Sequence, residues 1–418
     1  MNLKTRFQLS GMMFLEYFAW GAWYVTLGTY LGATLKFEGE QIGLAYAAFA
    51  LAAMISPFFV GMVADRFFPT ERVLGVLHLI GGVLLYFLAS ITEFSAFFPV
   101  IIAYTLCFMP TIALTNSLSF HHMDDPSSEF PGVRVLGTIS WIIVGLIVGF
   151  MGVEDQNIPI LIASASSIIM GLYCFTLPHT PAPKKGEKVT AKDVLGLDAL
   201  GLMKNRSFAV LVVSSMLICI PLSFYYSFAN LFLNNIGMQN TAAKMTLGQG
   251  SEIFFMLLMP FFLKRFGFKK VLLIGMAAWA VRYVLFMYGN TSALAWMLFG
   301  GILLHGICYD FFFVTGQIYV DKKAPTTVKG AAQGLITFAT YGVGMFIGSW
   351  LSGVVVDAYT TQDPDGNSIY NWHDIWLVPA AASLVVLIVF TLLFKEEEKD
   401  IAPGADSVSK AYGAGKTV

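Results

Sequence analysis

Twelve stretches of about 20 predominantly apolar residues, each long enough to cross a bilayer as a helix, dominate this chain. They run over 8–32, 41–64, 73–91, 97–120, 132–152, 158–177, 208–233, 243–263, 270–288, 293–320, 330–356 and 373–394. Of the 418 residues, 57% are hydrophobic and 12% charged. A soluble domain carries about 25% charge, so a water-exposed surface cannot be built from this composition. Soluble enzymes and nucleic-acid binders are therefore excluded, and a net charge of −1 gives no attraction for a polyanion. Cys107, Cys174, Cys219 and Cys308 lie inside apolar stretches and read as small core residues, with no metal-binding spacing among them. No cofactor is expected. The fold class is an all-α polytopic membrane protein.

Lys4 and Arg6 precede a first apolar stretch too long for a signal peptide, so it is taken as the first span. Most connections are short. The exception, 178–207, divides the chain into a six-helix bundle at 1–177 and a second at 208–394, followed by a tail at 395–418. With the N-terminus inside, 21 of the 25 Lys and Arg residues fall on the cytoplasmic face, and only Lys36 and Lys244 on the other. That bias predicts both termini in the cytoplasm.

The turn Gly61-Met62-Val63-Ala64-Asp65-Arg66 after span two has a faint counterpart in Leu263-Lys264-Arg265-Phe266-Gly267-Phe268-Lys269-Lys270 after span eight. Ordinary positive loop charge accounts for the second copy equally well. Six plus six spans with this first turn resemble the major facilitator superfamily. The resemblance implies two parallel repeats with a substrate held near the bilayer midplane.

Charges at membrane depth cost about 2.5–3.5 kcal/mol each, so they point to function before structure. The candidates are Glu16, Arg134, Glu252, Arg282 and Asp310, with His305 beside them. Arg134, Thr138 and Trp141 share one face of span five, with Pro131 read as the first helical residue and Ser128 as its cap. A snorkelling arginine is the bland alternative there. Gln249 and Glu252 share a face of span eight, and Glu252 falls roughly 14 Å into the bilayer at 1.5 Å per residue. His305 and Tyr309 share a face of span ten, whereas Asp310 is offset and suited to pairing with a cation. Arg282 reads as a structural partner. Glu16, Trp20 and Trp23 form a stripe that is either an aromatic wall or interfacial anchoring. His121 and His122 read as solvated residues ending span four.

Several stretches are more specific: Trp20-Gly21-Ala22-Trp23, Leu27-Gly28-Thr29-Tyr30, Thr34-Leu35-Lys36-Phe37, Met109-Pro110-Thr111, Arg134-Val135-Leu136-Gly137-Thr138-Ile139, Leu195-Gly196-Leu197-Asp198 and Tyr309-Asp310-Phe311-Phe312. Together they resemble the nucleoside:proton symporter family of bacterial inner membranes. The resemblance implies substrate contact from spans five, seven, eight and ten. Arg134, Thr138, Gln249 and Glu252 keep the family's residue types. Trp141 stands where phenylalanine is seen, Ser223 and Tyr226 replace amides, His305 and Tyr309 replace tyrosine and phenylalanine, and Glu16 stands where glutamine occurs. These departures bear on which nucleoside is carried.

The chemistry suits a nucleoside. Gln249 can donate and accept, Glu252 can accept from hydroxyls, and aromatic rings can stack on a base. A carboxyl in a low-dielectric site can hold a proton near neutral pH, which coupling requires. Asp310, Glu252 and Glu16, in that order, are the expected proton carriers. The expectation is a monomeric proton-coupled nucleoside importer. A proton-coupled sugar or oligosaccharide permease is the alternative, and a membrane-embedded sensor a remote one.

Overall fold

A computed structural model describes residues 1–59, 67–182, 197–325 and 328–395. The first basic turn from Gly61, the residues Leu195-Gly196, the Ser128 side chain and the tail after Lys395 lie outside the described residues.

Among the described residues, every expected span is built mainly of helix. The first comprises α1 (Leu3–Gly21), a short turn at Leu27–Thr29 and a π-helical stretch at Tyr30–Thr34. Then follow α2 (Gly39–Phe59), α3 (Thr70–Leu88), α4 (Phe94–His121), α5 (Pro126–Met151), α6 (Ile158–Cys174) and α7 (Arg206–Asn235). The rest are α8 (Thr241–Tyr288), α9 (Ala295–Lys323), α10 (Lys329–Ala358) and α11 (Trp372–Leu393). Asparagine caps begin three of them: Asn2 accepts from the Thr5 amide at 2.8 Å, Asn205 from Phe208 at 3.0 Å and Asn371 from Asp374 at 3.3 Å. The exposed faces of the long helices carry large apolar residues such as Leu257, Phe261 and Leu392, the reverse of a soluble protein and the signature of a lipid-facing surface.

Two spans run together in α8. They are separated by Gly267, whose φ of 74° and ψ of 174° suit glycine alone, within the second basic turn. Helix α5 starts at Pro126, not at Pro131. Pro131 is an interior residue, so Arg134 lies eight residues from the helix start. A small hairpin, β1 (Thr360–Gln362) paired antiparallel with β2 (Ser368–Tyr370), fills the last interhelical loop.

The chain forms two compact units. The first contains Met1–Leu27 and Ala52–Thr190; the second contains Gly28–Leu51 and Ala191–Ala402. Within the second, the start of α2 is seated on α10. The Gly39 and Glu40 amides donate to the two oxygens of Asp357 at 2.5 and 2.7 Å, and Trp350 Nε1 donates to Glu40 at 3.0 Å. Backbones touch along this seam. A Cβ at Gly43 would stand 2.2 Å from the Ser349 carbonyl oxygen, and one at Gly353 2.2 Å from that of Gly39. All four cysteines are free, and Cys174, Cys219 and Cys308 are buried.

Candidate substrate and proton site

In the first unit, α1 and α5 pack closely because Gly21 and Gly137 leave no side chain in the way. A Cβ at Gly137 would lie 2.6 Å from the Tyr17 ring, and one at Gly21 2.9 Å from that of Trp141. The Arg134 guanidinium consequently rests over the Tyr17 ring, 4.0 Å from its centroid. One turn on, Thr138 is half-buried on the same face. Trp141 meets Trp20 edge-on at 5.3 Å, and Trp20 also contacts Tyr17, Tyr24 and Phe108. Arg134, Thr138 and Trp141 are thus brought together as the spacing predicted, with Trp20 joining them.

Glu16 and Trp23 do not belong to that surface. Trp23 is fully buried against Tyr104, with ring centroids 5.5 Å apart. Glu16 is fully buried too, and it turns toward α3, where Oε2 lies 2.7 Å from His78 Nε2 while Oε1 accepts from Thr111 Oγ1 at 2.7 Å. Ser167 on α6 donates to the His78 carbonyl at 3.0 Å, so its oxygen accepts from Nδ1–H at 3.1 Å. The remaining contact, Nε2 to Oε2, therefore holds one shared proton. His78 was missed in the sequence. Its signal was a solitary histidine within an apolar span, at a position where every neighbour in sequence is aliphatic or glycine.

In the second unit, Gly248 and Gly306 let α8 and α9 approach, and Ser251 Oγ bridges them by accepting from the Gly306 amide at 2.8 Å and donating to the Leu303 carbonyl at 2.6 Å. This sets His305 Nε2 3.9 Å from the Glu252 carboxylate, with Gln249 half-buried one turn before it. Tyr225 stacks on His305 at 5.4 Å, and Tyr226 adjoins Tyr225 at 5.7 Å. Tyr309 also stacks on His305, at 6.2 Å, and its hydroxyl bonds that of Tyr341 at 2.8 Å. Both tyrosines lie in π-helical stretches, Tyr309–Val314 and Phe338–Gly344. Such irregularities concentrate at functional sites.

Ser223 stands apart from this group. It is buried where α7 meets α10, its hydroxyl donating to the Cys219 carbonyl at 2.9 Å, and a Cβ on Gly348 would come within 2.5 Å of it. Asp310 lies in the π-stretch beside Tyr309, fully buried, and neither carboxyl oxygen has a hydrogen-bond partner among the described residues. The cation expected beside it is thus absent from its hydrogen-bonding shell. Arg282, read as a structural residue, instead reaches His305 Nδ1 at 3.3 Å. At the surface end of α4, His122 is half-buried and bonded to Thr180 Oγ1 at 2.8 Å; burial and the adjacent His121 hold its imidazole below the usual histidine range.

The chain matches the nucleoside H+ symporter family over residues 1–399. It is 46% identical to the putative nucleoside transporter YegT of Escherichia coli over 96% of each chain. It is 35% identical to the xanthosine permease of the same organism, covering 94% of this chain and 96% of the permease. The crystal structure of the nucleoside transporter NupG superimposes with a TM-score of 0.85 at 34% identity, covering 95% of this chain and all of that one. With the family's transporters go the major facilitator fold and a multi-pass membrane protein that is not an enzyme. The chain belongs to the nucleoside H+ symporter family.

Proposed function

We propose that this protein imports nucleosides across the bacterial inner membrane together with protons, as a monomer with both termini in the cytoplasm and its two six-helix bundles alternating in access. The observation that carries the reading is Asp310. A carboxyl buried with no hydrogen-bond partner is costly to leave charged, and it sits next in sequence to Tyr309 on the helix that also brings His305 to Glu252. Such a group is suited to taking up and releasing a proton as its surroundings change.

Substrate contact falls to Arg134, Thr138 and Trp141 from the first bundle and to Gln249, Glu252, His305, Tyr309 and Tyr226 from the second. Ser223 is left out, because its hydroxyl is committed within its own helix. The aromatic groups supply stacking faces for a base, and the amide and carboxylate suit ribose hydroxyls. His305 and Tyr226, where the chain departs from its family, set the ranking of bases.

The test is uptake of labelled nucleoside in cells, with and without a protonophore. Accumulation should vanish with the protonophore, and excess nucleosides but not free sugars should compete. Gln249→Ala and Arg134→Ala should each weaken binding at least tenfold in a protein that still inserts in the membrane. Wild-type affinity in both variants would refute the assignment.

A further inference from the structure

Arg282 is a fully buried charge in the second unit that substrate contact does not use. It is fully enclosed, and among the described residues no carboxylate lies within ion-pairing distance of it. Its neighbours are neutral: the Tyr225 ring, 3.4 Å from the guanidinium carbon, Trp279 at 5.4 Å, and His305 Nδ1 at 3.3 Å from Nη1. Among the described residues, Nε and Nη2 have no hydrogen-bond partner. A cation kept in such a place at considerable desolvation cost calls for a reason other than packing.

Hydrogen-bond chemistry supplies one. Guanidinium has donors and no acceptor, so the His305 Nδ1 that faces it must present its lone pair. The ring's single proton is then on Nε2, which points at Glu252 Oε2 across 3.9 Å. That gap is too long for a direct hydrogen bond and leaves the N–H and the carboxylate oxygen side by side. Turning the ring over would set a carbon against the guanidinium and aim a carbon at Glu252. Tyr225 and Tyr309 stack on the imidazole at 28° and 21° and keep its plane, but stacking cannot tell one ring edge from the other.

We propose that Arg282 is a positioning residue for substrate recognition: it fixes the tautomer and the ring orientation of His305, so that an N–H stays beside the Glu252 carboxylate. The proposal rests on the nucleoside reading for its consequence in binding, though not for the tautomer itself. Arg282 thereby acts on selectivity from behind the site, without touching the substrate.

The first measurement is the nitrogen NMR spectrum of 15N-histidine-labelled protein in detergent, with the His305 signals assigned by their loss in His305→Phe. Wild-type His305 should show a protonated Nε2 and a bare Nδ1, and a protonated Nδ1 would overturn the proposal. In Arg282→Met, a second population with the proton on Nδ1 should appear. The second measurement is binding of labelled nucleoside. Arg282→Met should weaken it about tenfold, the scale of one lost hydrogen bond, and should have no further effect when added to His305→Phe. Equal losses in both backgrounds would make Arg282 a packing residue and sink the idea. A wild-type protein that binds no nucleoside would count against the functional reading alone, since the nitrogen spectrum decides the tautomer without substrate.

Discussion

Glu16 and Asp310 are both fully buried carboxyls, one in each compact unit, yet their surroundings are opposite. Glu16 has both oxygens engaged, by His78 and Thr111, and its histidine is itself anchored by Ser167. Asp310 has neither oxygen engaged by a hydrogen bond among the described residues. A network in which every polar atom is satisfied is rigid and has little to gain from changing its protonation. An unsatisfied carboxyl is held by nothing, so a change of protonation or the arrival of a cation alters its energy most. The contrast teaches that depth in the membrane does not identify a coupling residue. The partners do.

The largest effect that would sharpen this contrast is expected at Asp310. Asp310→Asn should abolish pH-gradient-driven accumulation while retaining exchange of nucleoside between compartments of equal pH, whereas Glu252→Gln should impair both if, as proposed, it contacts substrate. If Asp310→Asn still concentrates nucleoside in a protonophore-sensitive way, the comparison collapses, and if Glu252→Gln does so too, Glu16 becomes the next candidate. A second, intermediate effect concerns stability. Glu16→Leu or His78→Leu leaves a buried partner uncompensated and should cost about 3–5 kcal/mol, read as a lower melting temperature in detergent. The double change Glu16→Leu with His78→Leu should recover much of that loss, and its surviving protein should still couple. Failure to accumulate nucleoside despite a restored melting temperature would put Glu16 in the proton path. The smallest effect belongs to Thr111→Val, which removes one hydrogen bond to Glu16 and should cost about 1 kcal/mol with transport unchanged.

The spans were legible because a bilayer imposes one length and one polarity on every helix that crosses it. The start of α5 was not, since Ser128 and Pro131 mimic a helix opening that Pro126 already provides. The hairpin at Thr360–Tyr370 was hidden in a polar loop too short to show alternation. Spacing along one helix correctly grouped Arg134 with Thr138 and Trp141, and His305 with Tyr309, because that periodicity is a property of the helix alone. It could not say which neighbour each face meets. Glu16 and His78 are 62 residues apart on different helices, and Arg282 and His305 likewise become partners only through packing. The π-helical turn around Asp310 adds an offset that an ideal helical count misses.

The glycine seam where α2 begins has a consequence for how this protein tolerates change. Gly39, Gly43 and Gly353 sit where backbone meets backbone, and the contact has no side-chain slack to absorb an added methyl group. Nothing chemical happens there, yet a single alanine would act as a wedge, prising the head of α2 from α10 and stripping its amides of the Asp357 cap. Engineers could exploit this. Alanine at Gly43 is a steric lever on the conformational equilibrium that leaves every polar group of the proposed site in place.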